Sequence, residues 1–238
     1  MHQPTVLKAK QLPQESAPPS ASTPWIALFD LDGTLTWRDT LLPYLLGFVR
    51  RRPHRALGLW RLPYALYRYW RDRDRGALKS QIISMLMRGE RRAVLDAWSQ
   101  TFVAGMKPKQ RFRPVALAVL ETHRASGDHL VLLSASPDLY VPLIGELLGF
   151  ERTLCTEIQW QGERLDGRLK TANRRAEEKL NCLNWLRQQY RGLRIIAYGN
   201  SASDLDHMRH ADRALLVNGD SAARRLADKA GIGVSYWN

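Results

Sequence analysis

Trp25-Ile26-Ala27-Leu28-Phe29-Asp30-Leu31-Asp32-Gly33-Thr34-Leu35-Thr36 is the stretch on which the reading of this chain turns. It opens with a short uncharged run rich in strand formers and closes that run with a carboxylate, the pattern of a buried strand. A second carboxylate stands two positions on, followed at once by glycine. If the chain stays extended past the strand, Asp30 and Asp32 point to the same side. Two neighbouring anions repel and need a proton or a cation between them. A hard divalent ion with oxygen ligands suits them, and magnesium also keeps waters and accepts a phosphate oxygen.

Working outward, three more runs have the same character: HLVLLS at 129–134, LRIIAYGN at 193–200 and RALLVN at 213–218. Each leads through a polar or glycine-containing turn into a helical pattern, at 138–148, 175–189, 203–210 and 221–230. Strands alternating with helices predict an α/β fold, a Rossmann-like, doubly wound parallel sheet covered on both faces. Ligands of such sheets lie beyond the carboxyl ends of the strands. Asp30, Ser134 and Asn200 close three of the runs and are therefore expected on one rim.

More than one hundred residues separate Asp30 from Ser134, whereas a strand–helix–strand unit needs only about 30. The excess, 38–111, reads as an inserted helical cap, leaving 25–37 and 112–238 as the α/β core. The stretch 153–169 alternates on both sides of Gln161-Gly162 and reads as a small β-hairpin. Residues 1–24, rich in Pro, Ser, Ala and Gln, read as a flexible tail without a secretory signal.

The stretch DLDGTLT at 30–36 resembles the first motif of the haloacid dehalogenase superfamily, and the other strand ends extend the resemblance. Ser134-Ala135 is similar to the second motif, in which a hydroxyl and the following backbone N–H bind phosphoryl oxygens. A helix expected directly after Ser136 would add its N-terminal N–H groups, although Ser136 before Pro137 equally reads as a helix cap. Tyr198-Gly199-Asn200-Ser201-Ala202-Ser203-Asp204 resembles the fourth motif, but its first acidic position is Asn200, an amide that can coordinate a cation without adding charge. Lys179 is similar to the lysine of the third motif in the branch typified by phosphoserine phosphatases, with Lys170 as the alternative. The insert after the first motif matches the C1-capped members of that branch.

The resemblance implies a phosphatase in which Asp30 is the nucleophile, Asp32 the general acid and base, and Lys179 the neutralising cation. Thr34, Ser134, Ala135, Lys179 and Asp39 would bind substrate or phosphate. Asp30, Asp32, Asn200 and Asp204 would hold Mg2+, with Asp206 of lower weight as a first-turn helix residue. The product is inorganic phosphate, released from a small phosphorylated metabolite or a phospholipid phosphomonoester. A phosphotransferase using the same aspartyl-phosphate, and a non-catalytic protein binding membranes or polyanions, stay open as alternatives.

The charge balance bears on partners. Lys and Arg total 36 against 23 Asp and Glu, giving +13, a surface that attracts polyanions. Between 50 and 75 nine arginines stand against Asp72 and Asp74, interleaved with Trp60, Tyr64, Tyr67, Tyr69 and Trp70. Leu59, Leu62, Leu66 and Tyr69 recur at helical spacing as one apolar stripe. Basic residues with aromatics on an amphipathic helix suit peripheral contact with an anionic membrane; packing of the aromatics on the core, with solvated arginines, is the alternative. No nucleic-acid-binding motif is present. Lys79 and Arg88 are weaker candidates for cap contacts with substrate. Cys155 and Cys182 form no metal-binding spacing, and two reduced buried thiols suit a cytoplasmic protein, peripheral at the inner face of the membrane where the cap touches it.

Overall fold

The computed structural model describes residues 23–107 and 109–237. Six parallel strands form one sheet: β1 (Ile26–Phe29), β2 (His129–Pro137), β3 (Arg152–Thr156), β6 (Ile195–Gly199), β7 (Arg213–Val217) and β8 (Gly233–Ser235). Their order is β3-β2-β1-β6-β7-β8. The chain thus starts in the middle, builds one wing through β2 and β3, and then crosses to the other side of β1. That crossing is a topological switch point, and the crevice it leaves at the carboxyl ends is where such sheets take ligands. In the register Phe29 pairs with both Leu132 and Tyr198, so β1 and β6 end at nearly one level while β2 runs on to Pro137.

Both faces of the central strands β1, β2 and β6 are buried, which is why their sequences are largely continuous apolar runs rather than alternating ones. On one face Ala27, Phe29, Leu130 and Leu132 share a core with Ala116 and Leu120 of α5 (Pro114–Ala125) and Val141 and Ile144 of α6 (Val141–Leu147). On the other, Ile26, Leu28, Val131, Leu133 and Ile195 meet Cys182, Leu183 and Leu186 of α7 (Glu177–Gln189). Beyond them α8 (Leu205–Arg209) and α9 (Ser221–Lys229) cover β6 and β7 through Leu205, Met208, Ala223 and Ala227. Truncating a fully buried leucine such as Leu183 to alanine would cost about 2–5 kcal/mol.

Between β1 and β2 lie α1 (Leu41–Arg51), a 3-10 helix (Pro53–Arg61), α2 (Leu62–Asp72), α3 (Arg75–Met87) and α4 (Arg92–Ala104). Prolines open the 3-10 helix and occupy the first turn of α2, where a missing N–H costs nothing. Arg73 ends α2 in the left-handed region, and the Asp74 carboxylate caps α3 by accepting from the Ala77 N–H at 2.9 Å. These helices are tied to the sheet by an aromatic cluster: Tyr44 of α1 lies 4.5 Å from Tyr140 between ring centroids, and Phe102 of α4 lies 5.4 Å from Tyr140.

The segment after β3 forms an antiparallel pair, β4 (Ile158–Gln161) and β5 (Arg164–Leu169), and this hairpin lies against α3. Gly167 makes that approach possible: its φ is +87°, and a Cβ there would stand 2.8 Å from the Ser84 Cα.

Three details differ from the expectations. The residues at 152–156 are not the first arm of the hairpin; they join the main sheet beside β2. Alternation alone does not tell an edge strand from a hairpin arm. The helix expected directly after Ser136 starts at Val141, because β2 runs on to Pro137 and Asp138 is engaged by β3 and β4: its N–H donates to the Thr156 carbonyl at 2.9 Å and its carboxylate accepts from the Ile158 N–H at 3.0 Å. The apolar stripe of α2 passes through buried Ala65 rather than Leu66, which is exposed; the small side chain at 65 lets α2 approach its neighbour closely. The tail expected over 1–24 lies, except for residues 23 and 24, outside the described residues.

Candidate active site

β1 and β6 deliver the carboxylates and the amide of the rim, and β2 its serine hydroxyls. Asp30 follows β1 directly and stays extended, its N–H donating to the Tyr198 carbonyl at 2.9 Å. The next residues fold into a tight turn over Leu31–Leu35, in which Gly33 has a φ of +86°. Glycine is required there twice over. The backbone conformation disfavours an L side chain, and a Cβ would stand 2.0 Å from Nδ2 of Asn200. The turn after β1 and the turn after β6 therefore close on one another through Gly33 and Asn200.

Lys179, in the first turns of α7, reaches under both. Its ammonium donates to Asp30 Oδ1 at 2.5 Å and to Asp204 Oδ1 at 2.6 Å, and all three residues are buried. Asp204 Oδ2 accepts from the backbone N–H groups of Asn200 and Ser201, at 3.2 and 2.9 Å, and from the Ser201 hydroxyl at 2.7 Å. Both of its oxygens are thus engaged by protein donors. Burial alone would raise the Asp204 carboxyl, but the Lys179 ammonium and the Ser201 hydroxyl outweigh it and hold the group below the usual carboxylate range. Asp30 goes the other way: burial pushes it up to about 7 against the opposing pull of Lys179. Lys179 itself is raised, the two carboxylates overcoming its own burial.

Asp32 is held by a separate set of donors. Its Oδ1 accepts from the Thr40 N–H and hydroxyl, both at 2.7 Å, and its Oδ2 accepts from the Ser136 hydroxyl at 2.6 Å. The Thr40 hydroxyl also meets that of Tyr140 at 2.9 Å. Burial, reinforced by the nearby Asp39 charge, raises the Asp32 carboxyl despite these bonds. Hydroxyls can donate or accept, so Asp32 keeps its partners whether charged or protonated.

Over these groups lies a cavity of about 740 Å3, open on one side. Its floor includes Asp30, Asp32, Lys179 and Asn200; its cap wall includes Tyr69, Arg75 and Lys79; Ala135, Asn173 and Arg175 complete it. Lys79 Nζ bonds the Ala135 carbonyl at 2.5 Å and Asn173 Oδ1 at 2.7 Å, and burial lowers its pKa to about 8. Among the described residues no carboxylate pairs with Arg75 or Arg175, and the two guanidiniums act on each other electrostatically.

The remaining residues named from the sequence fall as follows. Thr34 is buried below the cavity and donates to Asp30 Oδ2 at 3.2 Å. Ser134 is buried too, its hydroxyl accepting from the Ser136 N–H at 3.0 Å. Asp39 is exposed at the cavity edge and accepts from the Leu42 N–H. Lys170 pairs with Glu157 at 2.8 Å and Arg88 with Asp166 at 3.5 Å, both outside the cavity lining; Asp206 is exposed on α8. Sequence reasoning did not single out Thr40, Tyr140, Arg75, Asn173 or Arg175, and gave Ser136 only a capping role. None of them carries a local pattern. Thr40 alone had a hint, standing beside Asp39 at the end of the loop from the first motif.

Among the described residues no cluster of three or more His, Cys, Asp or Glu is arranged as a ready-made ligand set. The rim nonetheless brings together the carboxylates of Asp30 and Asp204, which share the Lys179 ammonium, and that of Asp32, which is held by Thr40 and Ser136. The Asn200 amide is seated where a Cβ at Gly33 would fall. Hard oxygen donors, few in number, fit an ion that keeps most of its waters.

A sequence model of the haloacid dehalogenase-like hydrolases matches residues 27–209. The chain is 33% identical over 190 residues to Protein CicA of Caulobacter vibrioides, covering 79% of this chain and 84% of that protein. Among solved structures, a protein of unknown function from Bordetella pertussis Tohama I superposes with a TM-score of 0.71 at 23% identity, over 90% of this chain and 98% of that one. A phospho-aspartyl intermediate analogue of phosphoserine phosphatase superposes with a TM-score of 0.62 at 14% identity, over 90% and 94%.

Proposed function

This chain belongs to the haloacid dehalogenase-like hydrolases, and on that premise we propose that it is a Mg2+-dependent phosphomonoesterase working through an aspartyl-phosphate at Asp30. The observation that carries the proposal is the buried Lys179 ammonium bridging Asp30 and Asp204 beneath a cavity whose walls carry Arg75, Lys79 and Arg175. A phosphate monoester entering that cavity meets cations on its walls and a carboxylate on its floor.

Asp30 is the nucleophile. Lys179 fixes its Oδ1, while Oδ2 accepts the 3.2 Å bond from Thr34. As an Asp30 oxygen bonds to phosphorus, the ester P–O bond breaks and Asp32 gives its proton to the departing alkoxide. The raised pKa of Asp32 favours the protonated form this step needs. Asp32 then takes a proton from water as that water attacks phosphorus, releasing inorganic phosphate and restoring Asp30. One hard displacement is replaced by two easier ones. Thr40 and Ser136 hold Asp32 in place for both steps.

The ion would be held by the Asp30 carboxylate, the Asp32 backbone carbonyl and the Asn200 amide oxygen, with Asp204 contributing by fixing the Asn200–Ser201 turn. When bound it supplies positive charge to the phosphoryl oxygens. Thr34 and Ser134 support the floor from below, and the Ala135 segment, with Asp39 at the edge, faces the substrate. The substrate is a small phosphorylated metabolite or a phospholipid phosphomonoester, and the buried free thiols of Cys155 and Cys182 suit a cytoplasmic enzyme. Hydrolysis of p-nitrophenyl phosphate with and without Mg2+ tests the reading. The wild type should release phosphate only with the ion, and Asp30→Asn should lower kcat by on the order of a thousandfold or more. Unchanged turnover in Asp30→Asn would remove the proposal.

A further inference from the structure

The outer side of the cap carries a surface that the catalytic reading does not use. The 3-10 helix Pro53–Arg61 and α2 run in succession, and Leu57, Trp60, Tyr64 and Tyr67 recur along them at spacings of three and four residues, so they share a face. They are not packed away: Leu57 is 76% exposed, Trp60 74%, Tyr64 64% and Tyr67 56%, and Trp70 beside them is 67% exposed. The opposite side of the same helix faces the protein through Ala65 and Tyr69, and Tyr69 lines the catalytic cavity.

Arginines are interleaved with these side chains. Asp72 is shared between Arg68 at 3.4 Å and Arg71 at 2.6 Å, and Asp74 is engaged in capping α3. Arg61 lies over the Trp60 ring, 4.9 Å from its centroid. Among the described residues neither Arg61 nor Arg73 has a carboxylate partner. The face therefore combines large amphipathic rings with uncompensated positive charge.

We propose that this face docks on the surface of a bilayer rich in anionic phospholipid. Tryptophan and tyrosine rings belong at the level of the headgroups, leucine just beneath them, and guanidiniums against lipid phosphates. The charge pattern favours this occupant over others. Protein interfaces also favour tryptophan, tyrosine and arginine, but the surplus of positive charge in this segment, nine arginines against two aspartates over 50–75, points to an anionic surface. Bases would stack on the rings but would leave Leu57 and Leu66 without a partner. Among the described residues no helix is long and apolar enough to cross a membrane, so the contact is peripheral.

Sedimentation of the full chain with vesicles tests this independently of any activity. Vesicles of phosphatidylcholine mixed with phosphatidylglycerol should bind the protein at least about tenfold more tightly than phosphatidylcholine alone, and added salt should weaken the difference. Trp60→Ala/Trp70→Ala should lower partitioning onto the mixed vesicles about tenfold with an unchanged circular dichroism spectrum. Should that variant fail to fold, Arg61→Glu/Arg73→Glu should show a loss of similar size. Equal partitioning on both vesicles, wild-type binding by a folded variant, or tighter binding to duplex DNA than to mixed vesicles would each overturn the proposal.

Discussion

Replacing Gly33 by alanine probes the closure between the first and last turns of the site. Two terms act. The backbone at position 33 has φ +86° and ψ −16°, and a left-handed conformation costs an L residue about 1–2 kcal/mol. The new Cβ would also lie 2.0 Å from Asn200 Nδ2 and 2.9 Å from Asn200 Cγ. If Asn200 stays, overpacking adds about 1–3 kcal/mol, for a total of roughly 2–5 kcal/mol and a Tm lower by about 4–20 °C. If Asn200 swings away, most of the second term is relieved, but the amide leaves the cation-holding set. The Mg2+ concentration for half-maximal activity then rises by on the order of tenfold. Thermal melts and Mg2+ titrations of p-nitrophenyl phosphate hydrolysis separate the two cases. The double variant Gly33→Ala/Asn200→Ala, which removes the clash and keeps the strain, isolates the contact in a mutant cycle. A Gly33→Ala protein with wild-type Tm and wild-type Mg2+ dependence would refute the argument.

Three other outcomes follow from the same geometry. Ser136→Ala removes the donor to Asp32 Oδ2; kcat on alkyl phosphates should fall by on the order of tenfold, with a smaller loss on p-nitrophenyl phosphate, whose leaving group needs little help from a proton. Equal losses on both substrates would deny Ser136 that part. Asn200→Asp adds a charge to the cation-holding set and should lower the Mg2+ needed for half-maximal activity by on the order of tenfold; an unchanged or raised requirement would count against Asn200 as a ligand. Asp138 is pushed up to about 6 by burial. Its folded pKa exceeds its unfolded one, so the folded state binds the extra proton, and stability is lost as pH rises from about 4 to about 6. Asp138→Asn can still accept from the Ile158 N–H. It should therefore raise stability at pH 7.5 by on the order of 1–3 kcal/mol, with little change at pH 4; equal effects at both pH values in urea melts would contradict the assignment.

The central strands were legible because burial on both faces makes each a short apolar run, and because a polar residue must end it where the crevice begins. Asp30, Ser134 and Asn200 were found that way. β3 and β8 were harder: Arg152–Thr156 is an edge strand whose alternation resembles a hairpin arm, and Gly233–Ser235 is three residues long. The start of α6 was displaced by tertiary bonds to Asp138, which no local preference records. Within the site, the spacing of Asp30 and Asp32 can be read along the chain, whereas Lys179 was reached only through its resemblance to the third motif. Thr40 and Ser136 are more than ninety residues apart in sequence, and their common contact with Asp32 exists only once the cap and the sheet are assembled. Arg75 and Arg175 are alike in this: each is one arginine among many in a basic chain, and only the fold turns the pair to the cavity, where among the described residues neither has a carboxylate at ion-pair distance.

The most direct measurement is capture of the phosphorylated enzyme. Protein mixed briefly with radiolabelled substrate and Mg2+, quenched in acid and digested, should carry label on the peptide containing Asp30, released by hydroxylamine as an acyl phosphate is. Label on another residue, or turnover that proceeds with no labelled protein at any time, would contradict the account.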